Sequence, residues 1–177
     1  MTKAVEQYLI DKIKERKDKD AFRSFRVSAG EIDFCSNDYL GFAKDPEIHH
    51  AVNEELLHEE HIQVNGSTGA RTITGTSAAI VALERSLASF HIASAGLIYN
   101  SGYTANIGLF AALPYRGDTV LYDELIHASI RDGLRMSRAH SYSFKHNDTA
   151  DLESRLKRAR GNVYVAVEAV YSMDGDT

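Results

Sequence analysis

Apolar residues recur at helical steps along much of the chain and gather between those stretches into short runs. Val5, Leu9 and Ile13 step by four among Lys, Glu and Asp, which predicts an amphipathic helix over 4–16. Pro46 suits the first turn of a second helix, carried by Ile48, Val52 and Leu56. Ile80, Leu83, Leu87 and Phe90 step by three, four and three and mark a third. From residue 96 the pattern alternates. Strands are expected at Gly96–Tyr99, Thr119–Tyr122, Ser141–Phe144 and Val163–Val167, the last a continuous apolar run of the kind buried on both faces. Between them, Tyr103–Leu113 reads as a mostly apolar helix stopped by Pro114. Ile126, Ile130 and Leu134 mark another, with Arg131, Arg135 and Arg138 on its other face. Asp148 caps a last one carrying Leu152, Leu156 and Ala159. Ile32–Cys35 is a further strand candidate, followed by a turn at Ser36-Asn37-Asp38.

Strands alternating with helices argue for an α/β layered fold whose sheet is largely parallel. Residues 1–45 read as a helical arm with a short strand, and 46–177 as the front of a larger domain. The chain stops soon after a strand that needs a covering crossover, so we expect it to be the N-terminal part of something longer.

The 177 residues are 44% hydrophobic and 25% charged, which is ordinary globular composition. A net charge of −5 without a basic run gives no support to a nucleic-acid or anionic-membrane surface. One cysteine, Cys35, excludes an intrachain disulfide, and it reads as a small buried hydrophobe. No apolar run approaches a membrane span and no signal core follows Met1, so a cytoplasmic location is the default.

In open α/β sheets, ligands bind beyond the carboxyl ends of the strands. Three polar clusters fall there: Asn100–Tyr103, Asp123–His127 and Glu168–Ser172. A helix opened by Ser101-Gly102 presents free N–H groups that suit a phosphate, though the same pair is equally a plain cap and turn. His127 near a helix start suits ring stacking or proton transfer, or is simply a bonded surface residue. The glycine-rich stretch 65–75 is neither GxGxxG nor a P-loop and reads as a flexible loop. His58-Glu-Glu-His61 has the wrong spacing for a zincin and reads as a solvated acidic face, so no metal site is expected.

Six motifs occur in order: Ser36-Asn-Asp-Tyr-Leu-Gly41, Gly66-Ser-Thr-Gly-Ala-Arg-Thr-Ile-Thr-Gly-Thr76, Ser101-Gly-Tyr-Thr-Ala-Asn106, His127-Ala-Ser129, His146-Asn-Asp148 and Glu168-Ala-Val-Tyr-Ser-Met-Asp-Gly-Asp176. Together they resemble the α-oxoamine synthase family of pyridoxal-phosphate enzymes. The resemblance implies a type I aminotransferase-like fold with helices on both faces of the sheet, and a homodimer. It implies an activity that joins an amino acid to an acyl thioester of CoA or acyl carrier protein with loss of CO2. The Ser-Met-Asp-Gly-Asp run and the short arm point to the branch of biotin synthesis, which uses L-alanine and a pimeloyl thioester; branches using glycine or serine stay open.

By the same resemblance, Gly102 and Tyr103 hold the cofactor phosphate, His127 stacks on its ring, and Ser172 lies near its phenolic oxygen. Asn37 faces the acyl carbonyl, with Glu168 beside it, and Arg23 binds the acyl substrate. Catalytic roles thus fall to His127, Asn37 and Glu168, and substrate contacts to Arg23, Asn37 and His127. None of the eight lysines matches the family's cofactor-bearing lysine. Thr68 and Val81 stand where the family usually has glycine and histidine. A non-catalytic module that binds a partner through the dimer surface is the alternative of a different class.

Overall fold

Local side-chain hydrogen bonds decide much of the first part of the chain. The computed structural model describes residues 2–25, 27, 30–58 and 66–177, and the chain divides into two compact units, 1–60 and 61–177. In the first unit, α1 (Thr2–Asp18) carries the predicted apolar stripe, with Glu15 paired to Lys12 and Lys19 at 2.9 and 2.8 Å. Helix α2 (Pro46–His58) starts where the Asp45 carboxylate accepts the N–H groups of Glu47 and Ile48.

The strand expected at Ile32–Cys35 is absent. The Asp33 carboxylate accepts the Cys35 and Ser36 N–H groups, both at 2.9 Å, and turns the backbone instead. Cys35 is exposed, not buried as expected. The His58–His61 run extends past the described residues.

The second unit opens with a folded loop rather than a flexible one. Across the glycine-rich segment, the Ser67 hydroxyl donates to the Gly69 carbonyl and the Thr68 hydroxyl to the Thr74 carbonyl. Gly75 is required here: a Cβ would lie 1.9 Å from the Gly69 carbonyl oxygen. Helix α3 (Ala78–Phe90) follows, with the Ser77 hydroxyl accepting the Ile80 N–H.

Arg71 reaches from the loop to α3 and grips Glu84 with two bonds of 2.9 Å. Glu84 also accepts the Ile98 N–H at 2.8 Å. That bond occupies a donor a strand would need, and the expected strand at Gly96–Tyr99 is irregular chain. The Arg71 guanidinium and the Ile98 N–H hold the Glu84 carboxyl at about 2. Being depressed from 4.5, it contributes stability above that value and loses it as pH falls toward 2. Glu84→Gln is expected to flatten the acid limb of an unfolding curve between pH 5 and 2; an unchanged limb would show that another carboxylate governs it.

The sheet is built from β1 (Thr119–Asp123), β2 (His140–Phe144) and β3 (Val163–Ala166), all parallel, in the order β2-β1-β3. Helix α4 (Gly102–Ala112) precedes β1, α5 (Ala128–Met136) joins β1 to β2, and α6 (Thr149–Leu156) joins β2 to β3. Alternation sorts the faces. Val120 and Ala166 pack with Ile126, Ile130 and Leu134 beneath α5, and Phe110 of α4 closes that layer. Leu121 turns the other way, toward the side where α6 approaches β1 and β2. Helices therefore lie on both faces, as in a type I aminotransferase-like fold.

Gly133 lets α5 approach α4: a Cβ there would sit 3.0 Å from the Asn106 carbonyl oxygen and 3.1 Å from Ile107 Cα. Burial of β3 departs from expectation. Ala166 is buried, but Val163 and Val165, on the opposite face of β3, are 41% and 45% exposed, since α6 packs chiefly on β1 and β2. Among the described residues, no helix is long and apolar enough to cross a membrane.

Candidate active site

The parallel register aligns the carboxyl ends of all three strands: Asp123 lies opposite Phe144, and Tyr122 opposite Ala166. The loops leaving that edge carry Glu124–His127, Lys145–Asp148 and Val167–Thr177. This placement follows from the topology alone, since every crossover returns the chain to the far edge.

His127 is the N-cap of α5. Its Nδ1 accepts the Ser129 N–H at 3.2 Å and lies 2.7 Å from the Ser129 hydroxyl, which in turn accepts the Asn106 amide at 2.9 Å. A backbone N–H can only donate, so Nδ1 is the acceptor and the neutral ring carries its proton on Nε2. Ser129 is fully buried, which fixes the ring from below.

Tyr103, in the first turn of α4, meets the His127 ring edge-on, with centroids 6.0 Å apart at 78°. Its hydroxyl donates to Asp132 of α5, and that bond raises the phenol above its usual range. The Ser101 hydroxyl caps α4 by accepting the Thr104 N–H at 3.2 Å. The N–H groups of Gly102 and Tyr103 come first in the helix and have no partner within it. Nothing within 4 Å would meet a Cβ on Gly102, so the space before this helix end is open. The arrangement fits a phosphate beside a flat ring.

Glu168, in the loop after β3, accepts the His127 N–H at 3.1 Å and so ties that loop to the start of α5. Ser172 lies in the same loop, exposed, and takes no part in the hydrogen bonds that join His127, Ser129, Asn106 and Glu168. Arg23 and Asn37 belong to the first unit and are exposed on irregular backbone. Thus Tyr103, His127 and Glu168 come together, with Gly102 at the mouth of the same helix.

A second cluster at this edge was not foreseen. His146 Nδ1 lies 2.8 Å from Asp123 Oδ1, and Nε2 lies 2.8 Å from Asp176 Oδ2. Tyr171, buried, sets its ring at 4.6 Å and 82° to the imidazole. The bonds to Asp176 and then Asp123 hold the imidazole above its usual range. The sequence did carry a signal: an acid ending one strand and a histidine just past the next face each other in a parallel pair.

Comparison with known proteins agrees with the motif pattern. The family model for aminotransferase class I and II matches residues 29–177. An 8-amino-7-oxononanoate synthase of Emericella nidulans is 37% identical, covering 98% of this chain and 45% of that protein. The human mitochondrial 2-amino-3-ketobutyrate coenzyme A ligase is 43% identical over 85% of this chain and 35% of its own length. Among solved structures, a serine palmitoyltransferase from S. paucimobilis, with PLP and myriocin bound, superposes with a TM-score of 0.77 at 28% identity, covering 95% of this chain and 47% of that one. The chain therefore spans under half the length of the curated relatives it matches.

Proposed function

Because the chain belongs to the aminotransferase class I and II family, we propose that it is the cofactor-facing part of an α-oxoamine synthase using pyridoxal 5'-phosphate. The reaction would condense L-alanine with a pimeloyl thioester of CoA or acyl carrier protein, with loss of CO2, in biotin synthesis. The observation that carries this reading is the pairing of the open α4 N-terminus with the pinned His127 ring. The relatives named 8-amino-7-oxononanoate synthase support the substrate choice. The human relative favours a second reading, in which glycine and acetyl-CoA are used.

When bound, the cofactor supplies an electron sink for the carbanion at the amino-acid substrate. The protein's part is to hold and orient. The Gly102 and Tyr103 N–H groups and the dipole of α4 bind the phosphate. His127 forms a rigid wall for the cofactor ring, since Ser129 and Asn106 leave it one tautomer. Glu168 orients the start of α5, and Ser172 faces the cofactor's phenolic oxygen. Asn37 donates to the acyl carbonyl, where a preorganised donor favours developing negative charge. Arg23 binds the carboxylate end of the acyl group. Through these contacts, and within a homodimer, the full enzyme would exclude water from the reacting atoms.

Titration of the purified chain with pyridoxal 5'-phosphate, followed by its visible absorbance, tests the reading. Gly102→Pro is the sharpest variant. Proline is tolerated at the first helical position, and the extended backbone of Ser101 accepts it, yet it deletes one phosphate donor. Binding is expected to weaken about tenfold or more, and His127→Ala to weaken it about three- to tenfold. Borohydride should fix no cofactor to one specific lysine of residues 1–177. Absence of saturable binding, or indifference to both substitutions, would favour the non-catalytic module.

A further inference from the structure

We propose that His146 is a positioning residue that holds the 168–176 loop in place, and with it the contact between Glu168 and His127. The functional importance of His127 rests on the cofactor reading; the mechanical link does not.

The link runs through bonds of 2.8 to 3.4 Å. Asp123 ends β1 and is almost wholly buried, while Asp176 lies in the loop after β3. Carboxylates only accept, so both ring nitrogens of His146 donate and the side chain bridges the two as a cation. The loop it grips is closed on itself. The Tyr171 N–H donates to the Asp176 carbonyl at 2.9 Å, and the Gly175 N–H to the Tyr171 carbonyl at 2.8 Å. Gly175 sits at φ 71°, a conformation that favours glycine. Tyr171 and Asp176 therefore move together.

From Tyr171 the connection continues to the site. Its hydroxyl accepts the Glu168 N–H at 3.4 Å, and Glu168 accepts the His127 N–H at 3.1 Å. Ser172 rides on the same loop. Released from His146, the loop keeps its internal bonds and the Asn147 contact to Asp176 but loses the imidazole bridge to Asp123, which loosens its hold on the Glu168 contact with His127. His146 has no free nitrogen to take a proton, so a direct role as a base is unavailable to it.

The groups facing His146 are Asp123 from β1, Asp176 and Tyr171 from the loop, and Glu124, which accepts the His146 N–H at 3.1 Å. Asn147 donates its side-chain amide to Asp176 at 3.3 Å. A neutral imidazole keeps a single N–H, so loss of the imidazolium charge leaves one of the two carboxylates without its His146 donor. The hold is present below the ordinary histidine value of 6.5 and is released only as pH rises through the elevated one.

NMR on the whole chain tests this without cofactor. The His127 amide exchange rate and the ring signals of His127 and His146 would be followed against pH, in the unaltered chain and in His146→Gln, Asp176→Asn and the double variant. His127 amide exchange is expected to rise about tenfold in each single variant and little further in the double, because both remove one link. The His127 signals should follow the His146 titration in the unaltered chain, with a lower midpoint in Asp176→Asn. Should His146→Gln fail to fold, Asp176→Asn still decides, since it keeps the His146–Asp123 pair. Unchanged His127 exchange and signals in a folded Asp176→Asn would overturn the proposal. A parallel titration with pyridoxal 5'-phosphate separates the two claims. If the unaltered chain does not bind it while His127 still responds to His146, the cofactor reading fails and the positioning role stands.

Discussion

Gly133→Val is expected to lower the stability of the second unit by about 3 kcal/mol. A Cβ at 133 would meet Phe110 Cβ at 2.9 Å and the α4 backbone at 3.0 and 3.1 Å, none of them the free end of a flexible side chain, so neither helix can give way locally. Moving α5 outward would uncover Ile130 and Leu134, which with Val120 and Ile126 make up most of the buried cluster. The chain has no tryptophan, so far-UV circular dichroism during urea unfolding is the suitable probe. A midpoint lowered by about 1–2 M follows from the usual slope. A midpoint within about 0.3 M of the unaltered chain would mean that α4 and α5 separate at little cost, and that the close approach is incidental.

Asp123→Leu should cost about 3–5 kcal/mol, as expected when one partner of a buried pair is removed. Leucine fills similar space but leaves the Leu125 and Asn147 N–H groups and Nδ1 of His146 without an acceptor. The pH dependence of the unaltered chain should show the same cluster. Burial raises the Asp123 carboxyl, but the Leu125 N–H, His146 and the Asn147 N–H outweigh it and leave it depressed. Its contribution is therefore present above 3.8 and lost as pH falls below that. The contribution of His146 is present below 6.5 and lost as pH rises through its elevated value. Stability of the unaltered chain should peak between those limits and fall on either side, whereas Asp123→Leu should flatten both flanks. Flanks that persist in the variant would assign them to other groups.

What could be read from sequence was whatever is decided within a few residues. Ser101 and Asp148 announce helices because a cap acts on the next three positions, and both caps are present. Side-chain acceptors ended two expected strands, one locally and one from 14 residues away. Asp33 bends Ile32–Cys35 through its own neighbours, and Glu84 takes the Ile98 N–H; an apolar run becomes a strand only where another strand receives its hydrogen bonds. Ile126 was read as the first helical position but lies just before α5, where His127 caps, although its side chain is buried as the spacing required.

Residues of the candidate site were legible where a motif held them together, as in His127-Ala-Ser129. His146 was quoted within a motif without a role, because its partners are 23 and 30 residues away and only the parallel register brings them to it. Arg71 and Glu84 escaped notice for the same reason, 13 residues apart across a loop and a cap.

The exposed edge of β3 has a practical consequence for anyone concentrating this protein. Asn162-Val-Tyr-Val-Ala-Val167 is β-branched or aromatic at four of six positions, uncharged and free of proline. Along β3, among the described residues, only β1 pairs with it, so one row of backbone donors and acceptors faces outward. Sheets with such an unguarded border invite a second molecule to continue the ladder, and stacking of that kind grows with concentration into insoluble aggregate. Natural sheets place a lysine or a proline on such borders. Here neither is present, and a lysine in place of Val165 would supply the missing guard at a position already half open to water.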